Sequence, residues 1–151
     1  MSRLISIIVG IVVLSSSLIF CSPAYAAVGL DNGHLSPCPS SPNCVVSQDG
    51  DEKHAIDPLT YQGDRTTAKE TLLKVLSVVP RTKIIEDTGN YILAESTSRI
   101  FKFVDDVEFY FPESENIIQV RSASRVGESD LGVNRRRIEQ IRLAMKDLGN
   151  Y

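Results

Sequence analysis

Histidine is scarce in this chain, cysteine nearly so, and an excess of positive charge is absent. The only histidines among 151 residues are His34 and His54. They lie far along the chain from Ser122 and Ser124, the obvious candidate nucleophiles, and no Gly-x-Ser-x-Gly elbow surrounds either serine. Neither a glycine-rich phosphate loop nor a dinucleotide-binding fingerprint occurs. With 16 Lys+Arg against 19 Asp+Glu, the formal net charge is −3. That argues against nucleic acid as a partner, because its binders are usually basic. Beyond residue 26 no apolar run is long enough to span a bilayer. After Cys21 only Cys38 and Cys44 remain, and their spacing is not the Cys-x-x-Cys of redox enzymes. With His34 and His54 they match no usual zinc pattern, so no metal and no cofactor is expected.

What is present begins with a short basic start, Met1-Ser2-Arg3, and an apolar run from Leu4 to Phe20. Pro23 and the small-x-small pattern Ala24-Tyr25-Ala26 follow. Together these read as a secretory signal peptide over residues 1–26, cut after Ala26, with an uncleaved anchor as the alternative. Cys21 is preceded by Phe20 rather than the small residue a lipobox needs. Loss of Arg3 with the signal would move the net charge from −3 to −4. In an exported chain the pair Cys38 and Cys44 favours a disulfide. It would close a small loop stiffened by Pro37, Pro39 and Pro42.

Residues 27–63 show little periodicity and read as an irregular amino-terminal segment, with Val45 and Val46 forming at most a short edge strand. Residues 64–151 carry the regular elements of the same single domain. Thr67-x-x-Glu70 is a capping-box pattern. Ala68, Leu72, Val75, Leu76 and Val79 then recur at helical spacing up to Pro80. Strands follow at 82–87 and 90–97, joined by the turn signal Asp87-Thr88-Gly89-Asn90. A brief apolar strand is expected at 99–104, then strands at 107–111 and 117–124. A last helix is expected from Asn134, as N-cap, to Leu148, with Ile138, Ile141, Met145 and Leu148 as its apolar stripe and Gly149 as its stop. The order suggests an α+β fold, an antiparallel β-sheet with two amphipathic helices packed on one face.

The stretch from Arg121 to Arg137 is the most polar between two core-forming elements, with arginines at 121, 125, 135, 136 and 137. Three of them fall in the first turn of the last helix, where cations oppose the helix dipole. Two readings stay open. In one, the arginines are matched internally by Asp105, Asp106, Glu108, Glu128 and Asp130. In the other, Arg121, Arg125, Asn134, Arg135 and Arg137 bind a carboxylate, a phosphate or lipid headgroup, or an acidic protein surface, since guanidinium groups grip such anions bidentately. A metal at Asp105/Asp106/Glu108 is disfavoured, because adjacent residues on a strand point to opposite faces.

Three blocks of this chain together carry a family resemblance. They are Cys38-Pro39-Ser40-Ser41-Pro42-Asn43-Cys44, then Phe103-Val104-Asp105-Asp106-Val107-Glu108-Phe109, then the run from Arg121 through Gly127, Asp130, Gly132 and Asn134 to Arg137. They resemble the signature of the family called domain of unknown function 1499. The resemblance implies an exported or membrane-associated protein of bacterial or plastid type, in the periplasm or the thylakoid lumen, and no assigned activity. It draws attention to the polar motif positions Asp105, Asp106, Glu108, Arg121, Arg125, Asp130, Asn134, Arg135 and Arg137. The expectation is a non-enzymatic binding or assembly domain. The alternative is a hydrolase or metal-assisted enzyme using Asp105, Asp106 and Glu108 with the arginines.

Overall fold

A computed structural model describes residues 27–149; the expected signal peptide lies outside them. A small hairpin, β1 (Leu30–Asp31) and β2 (His34–Leu35), comes first. Two short strands, β3 (Cys44–Val46) and β4 (Leu59–Thr60), precede helix α1 (Arg65–Val78). A meander follows: β5 (Thr82–Asp87), β6 (Tyr91–Thr97), β7 (Val104–Tyr110) and β8 (Ile117–Ser124). Helix α2 (Val133–Asp147) closes the described chain. The main sheet is antiparallel in the order β3-β8-β7-β6-β5, with β4 also pairing with β8. The fold is therefore α+β. No helix among the described residues is long and apolar enough to cross a membrane.

Strand alternation sorts the side chains onto two faces. One face carries Ile92, Ala94, Val107, Phe109, Ile118 and Val120, and both helices pack on it. α1 contributes Ala68, Leu72, Val75 and Leu76 to that core, and α2 contributes Ile138, Ile141 and Met145. The other face carries Tyr91 and Leu93, which pack with Leu35 of the hairpin and Val46, against Leu30 and Cys38. The amino-terminal segment is thus a third layer, pinned by the Cys38–Cys44 disulfide.

Several local expectations need correction. Asp64, not Thr67, caps α1: its carboxylate accepts from the Thr67 N–H at 2.9 Å and the Thr67 hydroxyl at 2.7 Å. Asn134 is not the N-cap of α2. Gly132 is, in the left-handed region at φ 75°, where a Cβ would meet Arg136 Nη1 at 3.1 Å. Leu148 lies beyond α2 and is exposed, although Gly149 does stop the helix at φ 81°. Residues 99–103 form a turn rather than a strand. Ser98 N–H donates to Phe103 O at 2.8 Å and Ser98 Oγ accepts from Phe103 N–H at 2.9 Å, which closes the loop after the last cross-strand pair, Thr97–Val104.

Candidate functional site

The sheet divides the residues of the motif into separate groups. In the register, Leu93, Glu108, Arg121 and Val46 share one row across β6, β7, β8 and β3. They belong to the face covered by the amino-terminal segment. There Arg121 Nη1 donates to Glu108 Oε2 at 2.6 Å, and both side chains are 0 % exposed. Glu108 Oε1 also accepts from the Tyr91 hydroxyl at 2.9 Å and from Gly29 N–H at 2.7 Å. Burial, and then the Glu108 charge beside it, pushes the Tyr91 phenol well above its ordinary range. Nε and Nη2 of Arg121 make no hydrogen bond within the described structure.

One row further along the same face, Arg125 grips Asp106 with two bonds, Nε to Oδ2 at 3.0 Å and Nη2 to Oδ1 at 2.7 Å, and pairs with Glu95. The bonds to Asp106, then those to Glu95, hold its guanidinium proton above the usual arginine range.

On the helix-covered face a second network joins α2 to β7 and β8. Arg137 Nη2 meets Asp105 Oδ2 at 2.5 Å, while Nη1 donates to Ser122 Oγ at 2.9 Å and Asn134 Oδ1 at 2.6 Å. Ser122 donates to Asn134 Oδ1 at 2.6 Å, and Asn134 Nδ2 reaches Asn43 O at 2.9 Å and Ser124 Oγ at 3.1 Å. Asn134, wholly buried, therefore ties α2 to the sheet and to the disulfide loop. Asp130 does the capping expected of Asn134: its oxygens accept from Gly132 N–H at 2.9 Å and Asn134 N–H at 2.7 Å. Its negative charge at the helix start also offsets the arginines of the first turn.

The structure thus does not bring Arg121, Arg125, Asn134, Arg135 and Arg137 to one surface. Arg121 and Asn134 are sealed inside, and Arg125 and Arg137 are in ion pairs. Arg135 donates to Lys53 O at 3.1 Å beside a hollow of about 360 Å³. Asp105 and Asp106 face opposite sides of the sheet, and no cluster of three or more metal-ligating side chains occurs among the described residues. His54 is buried between Asp51, at 2.7 Å from its Nδ1, and the backbone oxygen of Ser41, at 3.1 Å from its Nε2. Neither serine of β8 lies in that arrangement; both are bonded to Asn134.

One cleft does collect cations. It has a volume of about 290 Å³ and lies where the end of α1 meets the start of α2, lined by Arg81, Arg136, Arg137, Ser96, Gln140 and Val133 among others. Arg81 donates Nε to Thr97 O at 3.0 Å, and Arg136 donates Nη1 to Leu131 O at 2.8 Å. Arg81 belongs to none of the sequence motifs. The available signal was a cation directly after the helix-ending Pro80, a pattern too common to single out.

The fold and these groups define a small three-layered α+β domain with charge networks on both sides of its sheet. Residues 34–145 match the family described as "Protein of unknown function (DUF1499)", and the chain belongs to it. Neither a curated protein nor a solved structure matches the chain.

Proposed function

We propose that the protein is a non-enzymatic, exported binding or assembly domain that takes a phosphate or carboxylate group in the cleft between α1 and α2. The observation that carries this reading is the cleft's composition. Three guanidinium groups line it, from Arg81, Arg136 and Arg137, and only Arg137 is in an ion pair among the described residues. The unengaged nitrogens of Arg81 and Arg136 can offer the planar fork that grips such anions. Ser96 and Gln140 add polar groups to the wall. The helix dipole adds little, because Asp130 already occupies the first N–H groups of α2. Export is supported by the Ala24-Tyr25-Ala26 pattern and by the disulfide, which belongs to oxidising compartments.

The test is a thermal-unfolding series with inorganic phosphate and small dicarboxylates. A ligand at a hundredfold its Kd stabilises by about 2.7 kcal/mol, which moves the midpoint of a domain this size by several degrees. The shift should vanish in Arg136→Glu, whose side chain is exposed, with the ligand-free midpoint unchanged. Absence of a shift in the wild-type protein would sink the reading.

A further inference from the structure

The apolar side chains left uncovered in this molecule gather at one end of it. β5 and β7 begin there, β6 and β8 end there, α1 finishes and α2 starts there. Three connections cap that end, at 79–81, 98–103 and 125–132. The second holds the sequence Arg99-Ile100-Phe101-Lys102-Phe103, with Ile100 77 % and Phe101 72 % exposed and the two phenylalanine rings stacked at 5.5 Å. The third presents Leu131, 85 % exposed. A hollow of about 110 Å³ touches both Phe103 and the residues Val126 and Val133, so the two loops share one apolar surface. Val78, the last residue of α1 at the same end, is also exposed. Among the described residues seven of the eleven exposed large apolar side chains lie at this end. Monomeric proteins seldom leave such residues together without a partner.

Two further features single out the same end. Among the described residues five other than glycine have a left-handed backbone, and two are Asn32 and Asp49, types that tolerate it. The other three are Arg81 (φ 59°), Lys102 (φ 56°) and Leu131 (φ 53°), one in each connection. Strain of this kind is found where the shape of a loop matters to its use. The charge is also asymmetric. Arg81, Arg99, Lys102 and Arg136 are exposed here and none is in an ion pair among the described residues, while Glu128 is the one exposed carboxylate in these connections and Asp130 is half-buried. The chain as a whole carries −3.

We propose that this end docks on an anionic lipid bilayer, with Ile100, Phe101 and Leu131 entering the boundary between headgroups and acyl chains. Arg99 and Lys102 then stand at the level of the lipid phosphates. The proposal shares Arg81 and Arg136 with the anion cleft and to that extent rests on the reading given above. Charge complementarity selects the bilayer. Apolar and basic residues are interleaved along Arg99-Ile100-Phe101-Lys102-Phe103, and the unpaired cations of this end are those a net-negative molecule can offer to an anionic surface beside exposed apolar side chains. Peripheral attachment of this type combines shallow apolar burial with attraction to anionic headgroups.

The chain contains no tryptophan, so Phe101→Trp gives a single reporter at the tip in the full chain. Leu143→Trp, ten residues along α2 from Val133, is the control. On a helix that is about 15 Å away. Protein-free vesicles of phosphatidylglycerol should shift the emission of the Phe101→Trp protein to the blue, and brominated acyl chains should quench it. The Leu143→Trp protein should show neither effect. Neutral phosphatidylcholine vesicles should leave both unchanged, and high salt should reverse the response. Adding Arg99→Gln and Lys102→Gln should weaken vesicle binding by roughly fivefold per charge removed. No response to any vesicle, an equal response to neutral ones, or a response only to membranes retaining their proteins would each overturn the proposal. Phosphate stabilisation measured on the same protein separates the two readings. Its persistence without vesicle binding rejects the bilayer alone, and vesicle binding without it rejects the anion cleft alone.

Discussion

Arg121 and Glu108 are the clearest case of two charged residues that serve the interior rather than a ligand. Both are wholly buried, and Glu108 spends its remaining oxygen on Tyr91 and Gly29. Two of the three guanidinium nitrogens of Arg121 have no hydrogen bond within the described structure. The pair therefore recovers only part of the solvation both ions give up. Arg121→Met alone should destabilise the fold by about 3–5 kcal/mol, because it strands a buried carboxylate. Combining it with Glu108→Gln should restore the protein to within about 1–2 kcal/mol of wild type, since the amide oxygen still accepts from Tyr91 and Gly29 and no net charge stays buried. Urea unfolding of the two variants decides this. A double variant no more stable than the single one would mean that the ion pair itself holds the layers together.

Among the elements, the disulfide loop and the hairpin before it stand apart, because neither contributes to the helix-covered core apart from Val45 of the adjoining strand. Their hold on the sheet runs through β3, through Asn43, and through Gly29. The Cys38–Cys44 bridge encloses a short loop, for which chain entropy gives about 2 kcal/mol. Replacing both cysteines by serine should cost about that much in denaturant and leave the β5–β8 meander folded. Loss of the whole cooperative transition would show that the third layer is indispensable. This segment was also the least legible in the sequence. Asn32-Gly33 is a hairpin signal, but strands of two residues leave no alternation to detect, so residues 27–63 read as irregular. The helices, the meander and the edge position of Val45 and Val46 were legible from apolar spacing. The turn at 99–103 was not, because Ile100, Phe101 and Phe103 imitate a strand when they are in fact exposed. For the site, alternation correctly placed Asp105 and Asp106 on opposite faces of the sheet. Which charges pair across strands depends on register, which a single sequence does not reveal, and so the arginine stretch left an internal network and a single binding surface both open, where the structure pairs Arg121, Arg125 and Arg137 with Glu108, Asp106 and Asp105 in separate groups.

For the molecule as a whole, the buried phenol of Tyr91 sets an alkaline limit. Its proton is held more tightly in the folded chain than in the unfolded one. Its contribution to stability is therefore fully present below the ordinary tyrosine value of about 10, and is lost as pH rises from there toward the folded value. Thermal midpoints should fall above pH 10, and less steeply in Tyr91→Phe; equal slopes would assign the loss to other groups. The three-layer arrangement has a further consequence, in the order of assembly. The bonds from Gly29 to Glu108 and from Asn134 to Asn43 span 79 and 91 residues. The amino-terminal segment must wait for β7, β8 and α2, which follow it in the chain. Such distant closures are slow steps in folding. The Cys38–Cys44 link, six residues apart, needs none of those partners and can form before they have folded. It keeps the waiting segment compact, so amide protection should reach the hairpin after the meander, and later still when the bridge is reduced.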